Sequence, residues 1–265
     1  MLEALQYDFI QNALISGILV SIAAGIIGSL VVVNRITFLA GGIAHSSYGG
    51  IGLAIFLGLP VLFGATVFAI ITAVLIAMLT LNNKKRIDSL IGIMWASGMA
   101  IGIIFVDLTP GYNVDLMSYL FGSIIAVSQD DILYLFLLDL FILVSVFIFY
   151  KQILAVSYDT EFAQLRGLNV KFFYTLILVL AGLSVVAAIK VVGLILVIAL
   201  LTIPTYLAEM FVKKLSSMMI LSSIIATFFT ICGLIISYYY DISSGASIII
   251  VGVFTLLLAK LLGKK

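Results

Sequence analysis

One cysteine, one histidine, one tryptophan and three prolines are spread through 265 residues, and charged side chains make up only 9% of the chain. Each shortage removes a class of protein. A lone Cys232 in an apolar run can build neither a disulfide framework nor a thiolate metal cluster. With one histidine and so few acids in apolar surroundings, neither a Ser/His/Asp arrangement nor a carboxylate pair for acid–base work can be assembled. No nucleotide-binding loop of the Walker type is present, so if ATP drives any activity here, another chain hydrolyses it. A net charge of +1 offers no surface for nucleic acid. Residues 1–8 lack a basic stretch and a small-residue cleavage pattern, and no cleaved signal peptide is expected.

What is abundant is apolar sequence: 64% of the residues are hydrophobic, and the mean hydropathy is +1.36. That composition belongs to an integral membrane protein in contact with lipid. A spanning helix needs roughly 20 mainly apolar residues, and charge, proline and glycine cut the sequence at about that length. Spans are expected at 9–33, through the His45 stretch to about 59, then at 61–81, 87–106, 132–150, 216–238 and 246–262. Residues 172–212 are apolar for about 60 Å if helical, twice one crossing, so two spans share them and turn near Lys190 and Gly193. Residues 115–127 are too short to span and read as a re-entrant or interfacial helix. The expectation is an all-α polytopic membrane protein of about eight to nine transmembrane helices, one transmembrane domain over 1–265 with no soluble module.

Lys and Arg accumulate on the cytoplasmic side of membranes. With the N-terminus outside and the C-terminus cytoplasmic, Arg35, Lys84, Lys85, Arg86, Lys151, Arg166, Lys171, Lys213, Lys214, Lys260, Lys264 and Lys265 all fall inside, leaving Lys190 outside. This multi-pass arrangement suits a cell membrane. It puts Asp107, Asp115 and Asp241 on a sparse acidic outer rim, either a cation attractor or solvated loop.

The only histidine lies in a glycine-rich apolar stretch, residues 39–52. On a helix Gly41, His45, Gly49 and Gly52 share one face, and Gly42, Ser46 and Gly50 form the ridge beside it. Such a face lets neighbouring backbones approach and turns the imidazole into a bundle or cavity, away from lipid. It is either a functional group or a buried imidazole bonded to a carbonyl or serine. Asp139, near mid-membrane, is open between a helix–helix hydrogen bond and a functional role. Glu209 reads as the partner of Lys213 at i+4. Pro204 should kink its span, with Thr202 and Thr205 satisfying freed carbonyls, for gating or for shape alone. Met94 and Met99 beside Trp95 could offer soft sulfur or simply fill space.

The cytoplasmic segment at about 157–169 has the makings of a short capped helix. Asp159 suits the N-cap, Glu161 the first turn, Arg166 the last turn and Gly167 the left-handed residue after it. Tyr158, Phe162 and Leu165, at i, i+4 and i+7, give it one apolar stripe. Two uses are open: a plug for a groove on a soluble partner, or a helix lying on the bilayer surface.

Taken together and in order, the His45 stretch with its following Gly-Gly, the segment 115–123, the pair 157–163 and 167–170, and the run 191–204 resemble the permease subunits of metal-ion ABC importers, the zinc/manganese/iron group. The resemblance implies a homodimer with the translocation path between the copies, and cytosolic ABC ATPase subunits docked on the 157–169 segment as a coupling helix. It also implies an extracytoplasmic metal-binding protein and alternating access. The permease itself would be no enzyme and hold no permanent cofactor; a divalent metal ion, with zinc the expected one, is its cargo.

In the family the histidine at the position of His45 follows an aspartate four residues earlier, and here that position is Gly41. A manganese-type ion prefers carboxylate oxygen, so three arrangements stay open. His45 from two subunits could hold a nitrogen-preferring ion transiently, Asp139 could supply a carboxylate from another span, or the cargo is not a bare divalent ion. The rivals from other classes are a stand-alone channel or ion-gradient-driven transporter using His45 and Asp139, and a membrane scaffold whose glycine ridges only pack.

Overall fold

A backbone in lipid has to satisfy its own hydrogen bonds, so uninterrupted apolar runs become helices and breaks fall where glycine, proline or charge permits. The computed structural model describes residues 7–82, 87–110 and 120–262. Its helices are α1 (Asp8–Val33), α2 (Thr37–Leu57), α3 (Val61–Asn82), α4 (Ile87–Asp107), α5 (Gln129–Ile148), α6 (Tyr150–Tyr158), α7 (Thr160–Leu165), α8 (Val170–Val192), α9 (Val197–Phe211), α10 (Leu215–Tyr240) and α11 (Ser244–Leu262). Seven of these are long and apolar enough to cross a membrane: α1, α3, α4, α5, α8, α10 and α11. The other two expected spans are α2, whose apolar character His45, two serines and several glycines dilute, and α9, which at 15 residues is short for a crossing.

Local chemistry sets the turns. After α2, Gly58 adopts φ +67°, its N–H donates to the Ile55 carbonyl, and the Leu59 N–H donates to the Ala54 carbonyl at 2.8 Å. That is a Schellman ending, and Pro60 directly behind it forbids continuation. The long apolar run breaks as expected: α8 ends at Val192 and Gly193 takes φ +86° before α9 begins.

The chain forms two compact units. One contains residues 1–32, 116–141 and 187–265. Within it α1 runs antiparallel to α10 with almost nothing between the backbones: a Cβ on Gly25 would fall on the Ser223 main chain, the Ser223 hydroxyl donates to the Ile22 carbonyl at 3.1 Å, and Ser21 shares a hydrogen bond with Thr230 at 2.9 Å. Small and hydroxylated residues here replace the apolar driving force that helices lose in lipid. In the same unit Lys190 pairs with Asp131 at 3.3 Å, which gives the one basic residue assigned to the outer side a counter-charge. The other unit contains residues 33–115 and 142–186, with α2, α3, α4, α6 and α7 wholly inside it.

Three local expectations need correcting. Tyr158 is not on the short capped helix: it closes α6, and Asp159 at φ −149° separates it from α7, so it shares no helical face with Phe162 and Leu165. Glu209 and Lys213 form no ion pair among the described residues, because α9 stops at Phe211 and the extended Val212 takes Lys213 off the i+4 position. The threonines near Pro204 donate to the Ile198 and Leu201 carbonyls at 2.8 and 2.9 Å. The carbonyl that Pro204 deprives is that of Leu200, so they brace its flanks instead. Of the expected re-entrant helix, residues 115–119 lie outside the described residues, as does Asp115; in the described part Leu120 and Phe121 are helical and Ile124–Ala126 form a 3₁₀ turn. Lys84, Lys85, Arg86, Lys264 and Lys265 also lie outside them.

Candidate functional site

His45 sits mid-way along α2 in the second unit and is 6% exposed. Its surroundings are set by how α4 crosses α2. A Cβ on Gly98 would fall on the Ser46 Cα, one on Gly52 would meet the Gly102 carbonyl, and one on Gly49 would stand 2.9 Å from both the Gly98 carbonyl and the Phe68 ring. The Ser46 hydroxyl donates to the Met94 carbonyl at 2.8 Å. Glycines therefore bring the two helices into backbone contact, running parallel, and a hydrogen bond fixes their register.

That register places Trp95, one turn before Gly98, flat on His45. The ring centroids are 3.6 Å apart and the planes differ by 12°. The imidazole Nδ1 is buried with no hydrogen-bond partner among the described residues. The neighbouring serines, candidates to bond it, are engaged elsewhere: Ser46 with Met94, and Ser47 with the Ala44 carbonyl at 2.6 Å. A stacked imidazole with a free ring nitrogen on a buried small-residue face can accept a proton or ligate a cation. Gly41 is buried on the same helix, so no carboxylate stands there.

Asp139 belongs to the other unit. It is central in α5 and 3% exposed, and both its carboxylate oxygens lack a hydrogen-bond partner among the described residues. Buried polar atoms nearly always have partners, so Asp139, like His45, stands out from the packed core. Among the described residues no three His, Cys, Asp or Glu side chains gather into a metal-holding group. Pro204 lies buried inside α9 in the same unit as Asp139.

The knob formed by α7 is fully capped. The Asp159 carboxylate accepts from the Phe162 N–H at 2.9 Å, Glu161 stands in the first turn of α7, and Gly167 takes φ +75°. The Gly167 and Leu168 N–H groups donate to the Gln164 and Ala163 carbonyls, a second Schellman ending. Phe162 is 47% exposed and Leu165 88% exposed. Arg166 covers the Phe162 ring at 5.1 Å. Beside α7 is a cavity of about 510 Å³ lined by Asn34, Arg35, Ser157, Thr160, Gln164 and Tyr174, among others. Across it the Asn34 amide donates to the Ser157 hydroxyl at 2.9 Å, tying α6 to the connection that leads into α2.

Comparison with known proteins decides the family. Residues 6–263 match the family model described as the ABC 3 transport family. The chain belongs to the ABC 3 transport family. Relatives of this transport family member include an uncharacterized membrane protein of Synechocystis sp., 43% identical over 251 residues, 95% of this chain and 89% of that one. Another is the manganese transport system membrane protein MntC of Halalkalibacterium halodurans, 32% identical over 94% of this chain and 85% of that protein. Among solved structures, PsaBC from Streptococcus pneumoniae in complex with Fab superposes with a TM-score of 0.89 at 34% identity, covering 97% of this chain and 93% of that one.

Within this ABC 3 family fold, the residues singled out from sequence fall into separate groups. His45, Gly41 and Gly49 share α2; Asp159, Glu161, Phe162, Leu165 and Gly167 form the knob; Tyr158 belongs to the helix before it. Sequence reasoning linked Trp95 only to neighbouring methionines and missed its stack on His45. The available signal was the Gly98–Gly102 spacing on α4, which matches the Gly49–Gly52 region of α2 as a close-approach surface.

Proposed function

We propose that this chain is the membrane-spanning permease of an ABC importer that carries a divalent transition metal into the cytoplasm by alternating access. The match over residues 6–263 to a transport family, with a relative named for manganese transport, carries the reading. The chain works as a dimer with the path between the copies, N-terminus outside and C-terminus cytoplasmic. Separate ATPase subunits hydrolyse ATP and an extracytoplasmic binding protein delivers the cargo. His45 is the ligand on the path, and Asp139 is the carboxylate available to a passing cation. The relatives' names favour manganese; an imidazole without the carboxylate at Gly41 favours a nitrogen-preferring ion such as zinc.

The α7 knob supports the ABC reading mechanically. A transporter driven by an ion gradient has no use for a capped, exposed Phe–Leu pair on its inner face, whereas an ATPase groove does. Movement of α7 would pass through α6 and the Asn34–Ser157 hydrogen bond to the start of α2, the helix that carries His45. In vesicles containing the chain with its ATPase and binding protein, the double variant Phe162→Ala/Leu165→Ala is expected to lower ATP-driven uptake about tenfold or more and to lose the co-purifying ATPase, since truncating two anchors of an interface removes its main contacts. Uptake that persists without ATPase binding would overturn the ABC reading in favour of an ion-gradient-driven transporter.

A further inference from the structure

We infer that Trp95 is a specificity-determining residue for the cargo: its indole face orients the His45 ring and strengthens that imidazole's hold on a cation. The inference rests on the reading of His45 as the ligand on the path. Three observations carry it. The rings are parallel and in contact, 3.6 Å between centroids and 12° between planes. The α4 main chain that carries the indole is pinned to α2 by the Ser46–Met94 hydrogen bond and by Gly98 against Ser46, which keeps the two rings within reach of each other. The imidazole Nδ1 has no other partner among the described residues to fix its orientation.

Charge explains the chemistry. An aromatic face carries negative potential and attracts a cation placed over it. A metal ion on a ring nitrogen withdraws electron density and makes the imidazole more positive, so the stack tightens as the metal binds. Its effect grows with the strength of the metal–nitrogen bond and is therefore larger for zinc than for manganese. In this way an aromatic face offsets part of what the glycine at position 41 withholds, through the imidazole and without adding an oxygen ligand.

Trp95 is also the chain's only tryptophan, so its emission reports on this ring pair directly. In the purified full chain in lipid nanodiscs, Mn²⁺, a paramagnetic quencher, is expected to cause a saturable loss of Trp95 emission in the wild type and none in His45→Ala. In vesicles with the ATPase and binding protein, Trp95→Leu should raise the KM for zinc uptake about tenfold and that for manganese less, with the maximal rate nearly unchanged. Trp95→Phe, which restores an aromatic face, should return KM to within about threefold of wild type. A residue that only fills space would be replaced as well by leucine as by phenylalanine. Unchanged KM in Trp95→Leu, with His45→Ala still inactive, would overturn the inference and leave the histidine site standing. Active His45→Ala would overturn the site reading itself. Should Trp95→Leu fail to assemble, the wild-type quenching decides: emission indifferent to Mn²⁺ at concentrations that saturate uptake sinks the proposal.

Discussion

Replacing His45 with alanine is expected to abolish metal uptake, by at least about a hundredfold, while the chain still folds and assembles. Loss of an outer-shell partner already costs a metal site roughly 10–100-fold, and here the residue removed is the proposed ligand itself. No group of three His, Cys, Asp or Glu side chains stands ready among the described residues to replace it. Folding should survive for a local reason. Alanine is the best helix former, and α2 is held to its neighbours by glycine contacts and by Ser46, which the substitution leaves alone. The indole of Trp95 loses its stacking partner but stays attached to a pinned main chain. The measurement is uptake of zinc, manganese and iron into vesicles carrying the complete complex, alongside gel filtration of that complex. Uptake of any of the three metals at the wild-type rate in His45→Ala would return the histidine to packing and make Asp139, the buried carboxylate without a partner, the next residue to replace.

How much of this was legible in the sequence depends on whether a feature is local. The spans were legible because length, charge and proline bound them one at a time, and even the shared run at 172–212 broke at Gly193, where a left-handed turn needs a glycine. The caps of α7 were legible for the same reason: Asp159 and Gly167 act within a few residues of themselves. Tyr158 was misread because a helical wheel assumes one continuous helix, and a single extended residue resets the phase. The Trp95–His45 stack was out of reach because it depends on the register of one helix on another. That register is set by which glycine meets which carbonyl, and every glycine in α2 and α4 is a candidate until the crossing is seen. The pairing of Lys190 with Asp131 joins positions 59 apart and likewise needs the fold.

Two glycines of one helix should therefore respond oppositely to the same change. Gly98→Ala is expected to destabilise the chain and Gly92→Ala to leave it as stable or more so. The added methyl at position 98 would land on the Ser46 Cα and 2.9 Å from the Ser46 carbonyl, where main chain cannot step aside as a flexible side chain can. Overpacking of this kind costs about 1–3 kcal/mol, and relief requires α4 to lift away from α2, which lengthens the Ser46–Met94 hydrogen bond and peels Trp95 off His45. At Gly92 an added methyl meets nothing within 4 Å, so only the helix preference of alanine over glycine remains, up to about 1 kcal/mol in favour. Thermal unfolding in detergent should separate the pair, at roughly 2–4 °C per kcal/mol for a chain of this size. The emission of Trp95 adds a second readout, shifting in Gly98→Ala and unchanged in Gly92→Ala. Equal melting temperatures and equal emission for the two variants would mean that α2 and α4 are not in backbone contact, and with that the geometry holding the histidine would have to be redrawn.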